Sequence, residues 1–292
     1  MHSSLRMLRE KFHPLFYLRK SALGRNAIRF VDCPVMLSVP GIRFKVCGRL
    51  ITHGLAFAAT GSQEQGSEAL ALTCIRQLEL RSFWDVGANI GHYTWLLKSA
   101  SPDLEAVLFE PFPANIALIR KTLKVHGFAD VTLITAGASK HSGTATLHTD
   151  SVAGATSSLE TAGKTFEERH FGVSSKPLTI ATVSIDDVRA QRRRVDFLKI
   201  DVEGHEEHAL QGAEKTIATD QPVVFIECGH AGHSCLTELE NQGYQFVDGD
   251  QLTYERTSKT INHFGFPRRF KSRIDDLLQA ARNEVPSAVL SQ

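Results

Sequence analysis

No apolar run in this sequence approaches the ~18 residues that a membrane-spanning helix needs, so no transmembrane segment is expected. No unit of ~20–50 residues repeats, which argues against solenoids and propellers. Neither sign of charge is in large excess. The 292 residues carry a formal net charge of +1, so the bulk balance does not draw the chain to nucleic acid. Cysteine is scarce: Cys33, Cys47, Cys74, Cys228 and Cys235 are odd in number and scattered. That pattern suits free thiols in a reducing compartment better than a disulfide framework. What remains, 42% hydrophobic and 22% charged residues, fits a soluble globular protein of one large domain or two small ones.

The N-terminus departs from this balance. Arg6, Arg9, Lys11, Arg19, Lys20, Arg25 and Arg29 face only Glu10, and Leu5, Leu8, Phe12, Leu15 and Phe16 recur at roughly helical spacing. The charges interrupt any secretory leader. Such a helix either lies on an anionic membrane or a partner, or covers an edge of the protein's own core. The second reading is preferred, because amphipathic helices mostly pack inward. The chain is expected in the cytoplasm.

From residue 80 a rhythm of strands and helices sets in. Strands are expected at 82–86, 106–110, 131–136, 195–201 and 222–227, with a small strand at 144–148 beside the third. Helices are expected from Gly91, from Pro113 to about Gly127, and over 206–218. This alternation predicts an α/β fold, a Rossmann-like, doubly wound and mostly parallel sheet with helices on both faces. Late strands are expected at 244–247 and 252–255 as an antiparallel edge pair, with a last helix over 272–283. Residues 1–66 read as an N-terminal extension with short strands near 35–39 and 42–46. The α/β domain follows over 67–255, and 256–292 form a helical tail. The small, polar stretch 153–158 is the candidate for a mobile loop.

In an open parallel sheet, ligands sit beyond the carboxyl ends of the strands. The expected strands end there in Asp85, Glu110, Asp201 and Glu227. A single acid in that position is often a helix cap, but four at corresponding ends are hard to assign to chance. The turn Gly87-Ala88-Asn89-Ile90-Gly91 permits close backbone approach. Glu110 ends the next strand about 20 residues on, the spacing at which a carboxylate reaches ribose hydroxyls. Adenosine between the first two strands is implied. A dinucleotide site would want G-x-G-x-x-G, and a carboxylate facing its pyrophosphate would be repulsive. Asp85 instead suits the ammonium and sulfonium of S-adenosylmethionine.

FWDVGANIG, VLFEPFP, FLKIDVEGHE and VVFIECGH, in that order, resemble the FkbM-type methyltransferases over about residues 66–250. The resemblance implies an S-adenosylmethionine-dependent enzyme, often one that methylates hydroxyls of sugars or natural products. It implies that Asp85, Gly87, Asn89 and Gly91 surround the methionine part of the cofactor, Glu110 the ribose, and Gly137 and Ala138 the adenine region. Ala88 and Asp201 are grouped with them.

Methyl transfer to a hydroxyl needs positioning and a base for the departing proton. His205 and His230 follow the fourth and fifth expected strands and are the first candidates. Glu203 and Glu227 could orient them, bind acceptor hydroxyls, or serve as bases themselves if desolvation raises their pKa. Each histidine could equally be structural. Cys228, His230, His233 and Cys235 are zinc-type ligands, but four within one loop would strain a tetrahedron, so no metal is expected. Magnesium at Asp201 lacks a clear third ligand. The expected partner is a small-molecule or carbohydrate hydroxyl acceptor. No nucleic acid is expected, although the runs at Arg192–Arg194 and Arg268–Arg273 leave an RNA substrate open. A homo-oligomer is also open. An NAD-dependent oxidoreductase and a non-catalytic binding module are the rival readings.

Overall fold

The computed structural model describes residues 21–60, 64–149, 176–228 and 233–285. The helix expected around 5–16, the loop expected at 153–158 and His230 lie outside these residues. Helix α1 (Ala22–Val31) opens at Ser21, whose hydroxyl accepts the Gly24 N–H at 3.0 Å. Strands β1 (Pro34–Leu37) and β2 (Val46–Arg49) pair antiparallel. The second of them starts later than expected, because the chain turns first, with Ile42 N–H bonded to the Val39 carbonyl at 3.1 Å. A π turn, Leu50–Gly54, runs into α2 (Leu55–Thr60).

The expected alternation follows: α3 (Gln65–Gln77), β3 (Ser82–Val86), α4 (His92–Ala100), β4 (Glu105–Phe109), α5 (Pro113–His126) and β5 (Val131–Ile134). Helix α5 has Pro113 in its first turn and closes at Gly127, which takes φ +64°. Next come β6 (Gly137–Ala138), β7 (Gly143–Thr149) and β8 (Lys176–Val183). Here the structure corrects the sequence reading. β7 does not lie beside β5; it pairs antiparallel along its length with β8, and β8 pairs with β6, in a separate three-stranded sheet. Its alternating Thr-Ala-Thr-Leu-His pattern fits a strand, but the partner, β8, lies some thirty residues downstream and was not foreseen.

After α6 (Ile185–Arg189) come β9 (Phe197–Ile200), α7 (Glu206–Gln211) and α8 (Glu214–Asp220). The single helix expected over 206–218 is therefore two. Gly212 passes so close to the chain that a Cβ there would lie 2.1 Å from the Ser139 carbonyl oxygen. Asp186 then caps the second helix, its carboxylate accepting the Thr216 N–H at 2.8 Å and the Lys215 N–H at 3.1 Å.

The remaining elements are β10 (Val223–Glu227), α9 (His233–Asn241), β11 (Gln245–Asp248), β12 (Asn262–Phe266), a 3₁₀ turn at Arg268–Arg273 and α10 (Ile274–Glu284). The strand expected at 252–255 is reduced to one bridge, Asp248 to Thr253. Asp248 folds this segment into a turn by accepting the N–H groups of Asp250 and Gln251, both at 2.9 Å. The partner of β11 is β12 instead, drawn from the stretch assigned to the tail.

The central sheet has seven strands in the order β11-β12-β10-β9-β3-β4-β5. β10, β9, β3, β4 and β5 are parallel, and β12 runs against both its neighbours. Chain order reverses between β3 and β9, and the crevice at such a switch point is where ligands bind. Alternate residues feed two cores. Phe83, Phe197, Phe225, Phe264 and Phe266 point to the layer holding α3, α4 and α10; Trp84, Leu198, Ile200, Val224 and Ile226 point to the other. Phe264 has no exposed surface and stacks on Phe225 at 4.5 Å. Phe264→Ala should therefore lose about 3–5 kcal/mol in chemical denaturation. Half-exposed Val125→Ala should stay within about 0.5 kcal/mol of the parent.

Candidate active site

Strand register puts the functional side chains in rows. Val86 pairs with Ile200 and Ile200 with Ile226, so Gly87, Asp201 and Glu227 form the next row, at the carboxyl ends of three adjacent strands. Phe109 pairs with Val86, which adds Glu110 on the far side. Two residues back along each strand, and so on the same face as that end row, Asp85 pairs with Lys199 and Lys199 with Phe225.

Between β3, β4 and β9 lies a cleft of about 630 Å³, solvent included, lined by Gly87, Asn89, Glu110, Phe112, Asp201 and Glu203 among others. Pro111, Asn115, Gly137, Ala138 and Leu147 complete the wall at the β4 and β6 end. Gly87 takes φ +80°, and a Cβ there would lie 1.8 Å from the Asp201 carbonyl oxygen. The glycine is thus required first by the protein itself, since it lets the β3 turn press against the end of β9. Gly91, at φ +86°, packs on Trp95 and serves the turn, and Ala88 is buried in the core; neither lines the cleft.

Glu110 is buried, and both its carboxylate oxygens accept backbone bonds: one from Asn89 N–H and one from Phe112 N–H, each at 2.8 Å. Burial pushes its pKa up to about 7, against the opposing pull of those bonds. Asn89 sits on the same turn with φ +55°, and its side-chain oxygen is buried with no hydrogen-bond partner. An orphaned amide oxygen and a carboxylate with lone pairs to spare, on one wall of a cleft, fit a ligand that brings hydroxyl and amino donors.

Asp85 is placed differently from the sequence reading. It lies inside β3, with Asp85 Oδ2 accepting from Thr94 Oγ1 at 2.8 Å, and it is not among the cleft-lining residues. Its Oδ1 faces Lys199 Nζ at 3.6 Å, while Lys199 donates to Asp201 Oδ2 at 2.9 Å. The ammonium is buried and lies over the rings of Tyr93 at 5.3 Å and Phe225 at 5.9 Å. Burial alone would lower the Lys199 pKa; Asp201 and Asp85 outweigh it and push it up.

Further carboxylates crowd this end. Glu64, the residue before α3, accepts from the Tyr93 hydroxyl at 2.7 Å, and its pKa is raised by burial and by Asp201 and Asp250. Glu227 is raised well above the ordinary carboxylate range, first by Asp201, then by burial, Glu64 and Glu203. Glu203 sits on the cleft rim in a left-handed conformation, φ +52°. His205 opens α7 and is drawn the other way, its Nε2 3.1 Å from Ser139 Oγ and its ring stacked on His208 at 4.4 Å. Among the described residues, no three His, Cys, Asp or Glu side chains form a metal-holding group.

Sequence reasoning passed over Lys199, Glu64 and Tyr93 as functional residues. A lysine in the middle of the apolar run Phe197–Ile200 was a readable signal, because a buried ammonium demands partners. Glu64 and Tyr93 carry no comparable mark; only packing of α3 against α4 brings them together.

The geometry can be set beside known proteins. A family model described as Methyltransferase FkbM domain matches residues 85–246. A curated relative, Methyltransferase 1 of Beauveria bassiana (strain ARSEF 2860), is 26% identical over 180 residues, covering 55% of this chain and 70% of its own. A solved methyltransferase FkbM from Methylobacillus flagellatus KT shares 18% identity at a TM-score of 0.44. That match covers 64% of this chain and only 44% of the other, so the chain spans less than half of that structure. The SAH-bound methyltransferase PaMTH1 of Podospora anserina shares 12% identity at a TM-score of 0.34, covering 76% of this chain and 68% of its own. The family match runs from Asp85 to Phe246, more than half of the sequence, and the chain belongs to the FkbM methyltransferase family.

Proposed function

We propose that the protein moves a methyl group from S-adenosylmethionine to a hydroxyl of a sugar or natural-product acceptor, with Glu227 as the base. The observation that carries the oxygen acceptor and its base is the position of Glu227. It stands in the same row as the cleft residue Asp201, with its pKa raised by Asp201, burial, Glu64 and Glu203. A carboxylate whose pKa is raised in this way is a stronger base than an ordinary glutamate.

Glu110 would hold the ribose hydroxyls, Asn89 and the Gly87 backbone the methionine part, and the wall of Phe112, Gly137, Ala138 and Leu147 the adenine. When bound, S-adenosylmethionine supplies an electrophilic methyl on a positively charged sulfur. The protein's part is electrostatic and positional. Asp85, Asp201, Glu64 and Glu227 all act electrostatically on one ammonium, Lys199, so this end is acid-rich and favours a cation over a pyrophosphate. Glu203 on the rim can accept from further acceptor hydroxyls. Glu227 takes the hydroxyl proton as the acceptor oxygen forms its new bond. His205 is better accounted for by orienting the loop through Ser139.

Two outcomes follow from these roles. If Glu110 binds hydroxyls as a carboxylate, a pKa of about 7 means that acid protonates it and weakens binding. The affinity for S-adenosylhomocysteine in calorimetry should fall about tenfold from pH 8 to pH 6, and Glu110→Gln should be weak and flat over that range. An equally steep profile in Glu110→Gln would remove the assignment. Once a panel of sugar and polyol acceptors has yielded a labelled product, Glu227→Gln should lower kcat by about 10²–10⁴. Calorimetry should show S-adenosylhomocysteine affinity within about threefold of the parent, since Glu227 is outside the cofactor cleft. His205→Ala should cost far less turnover than Glu227→Gln.

A further inference from the structure

Charge is distributed very unevenly along the chain. The first 60 residues hold ten Lys and Arg against two acids, Glu10 and Asp32; the rest holds 23 against 30. The near-neutral total conceals a basic extension joined to an acidic catalytic body. Such asymmetry points to contact with a polyanion.

A second, independent observation comes from exposure. Among the described residues, seven large apolar side chains are exposed, and five of them lie in this short extension: Leu23, Phe30, Val31, Leu50 and Leu55. On α1, Leu23 is 82% and Phe30 91% exposed, seven residues apart and so on one face, with exposed Ala27 between them. Gly24 and Ile28, on a neighbouring face, are buried. The helix contains no acid. It is also held firmly. At its C-terminal end the Asp32 carboxylate accepts the N–H groups of Ile51 at 2.7 Å and Thr52 at 3.1 Å, locking α1 to the π turn that carries Leu50. That unit is tied to the catalytic body through β2, where Cys47 N–H donates to Thr122 Oγ1 of α5 at 2.9 Å.

We propose that α1 and the π turn after β2 form a docking face for an anionic lipid bilayer, on which the enzyme sits without crossing. Among the described residues, no helix is long and apolar enough to span. The chemistry selects lipid over the other polyanions and partners. Exposed side chains here are mostly aliphatic, which insert between lipid headgroups, whereas nucleic acid asks for aromatic stacking. A second copy docked face to face would bring together two N-terminal segments that each hold ten Lys and Arg against two acids. Aliphatic insertion and attraction of Lys and Arg to anionic headgroups act together, and each alone holds a protein only marginally.

The test uses the full chain in vesicle co-sedimentation. Binding to phosphatidylcholine vesicles with about 30% phosphatidylserine should exceed binding to pure phosphatidylcholine by about tenfold or more, and weaken at high salt. Leu23→Glu combined with Phe30→Glu should lose about tenfold on the anionic vesicles, with an unchanged unfolding midpoint because both side chains are exposed. Equal binding to neutral and anionic vesicles, or undiminished binding by the double variant, would overturn the proposal. So would a concentration-dependent dimer in light scattering that the double variant abolishes, which would make the face a contact between copies. Binding of a single-stranded oligonucleotide in place of vesicles would also contradict it.

Discussion

One buried ammonium holds together the acids gathered at the carboxyl ends of β3, β9 and β10. Lys199 lies in β9 with its Nζ 2.9 Å from Asp201 and 3.6 Å from Asp85, and Glu64 and Glu227 also act on it electrostatically. A charge taken out of water costs several kcal/mol unless partners repay it. Here the partners come from separate strands and from the chain before α3, so the repayment is made only in the folded arrangement. The aromatic rings of Tyr93 and Phe225 close the space around the ammonium. Without it, four carboxylates would meet with no counter-ion.

The same imbalance gives the site its chemical character. One cation among several acids leaves Asp201 paired and pushes the excess negative charge onto Glu227 and Glu64, whose pKa values rise. Structure and reactivity therefore have one source. Gly87 belongs to this arrangement as well: its missing Cβ lets the β3 turn touch the Asp201 carbonyl, which brings that turn and the acid row into one crevice. At the other end of the crevice, Glu110 is held by two backbone N–H groups and needs no cation. The two ends are tuned by different means, hydrogen bonds around Glu110 and a shared ammonium around Asp201.

Much of this was legible in the sequence, for a physical reason. Buried parallel strands are short apolar runs, and β3, β4, β9 and β10 stand out because each is followed by turn residues and a helix period. The four acids Asp85, Glu110, Asp201 and Glu227 could be assigned to strand ends on that pattern alone. What the pattern lacked was depth along the strand. Asp85 was expected to face a ligand, yet two residues back from the end row it meets Thr94 and Lys199 instead. Non-local pairings were equally hidden. β12 enters the sheet between β10 and β11 from the stretch read as tail, and β7 finds β8 rather than β5, because neither partner is specified by local periodicity. The Gly212 break was overlooked because its cause is Ser139, distant in sequence. The basic N-terminal residues were visible from the start, but only exposure of Leu23 and Phe30 shows which way one of their helices presents its apolar face.

The claim that Lys199 supports the acid row is tested most directly by the stability of Lys199→Met against wild type as a function of pH, measured by chemical denaturation. Removing the ammonium leaves carboxylates whose folded-state pKa values rise, and such groups destabilise the fold increasingly as pH climbs through them. The variant should lie about 3–5 kcal/mol below wild type at pH 8, with the gap narrowing steadily toward pH 5 as the acids take up protons. Lys199→Arg, which keeps the charge, should recover part of the loss. A gap of the same size at every pH, or no gap at all, would mean that the lysine merely fills space and that the acids are held by something else.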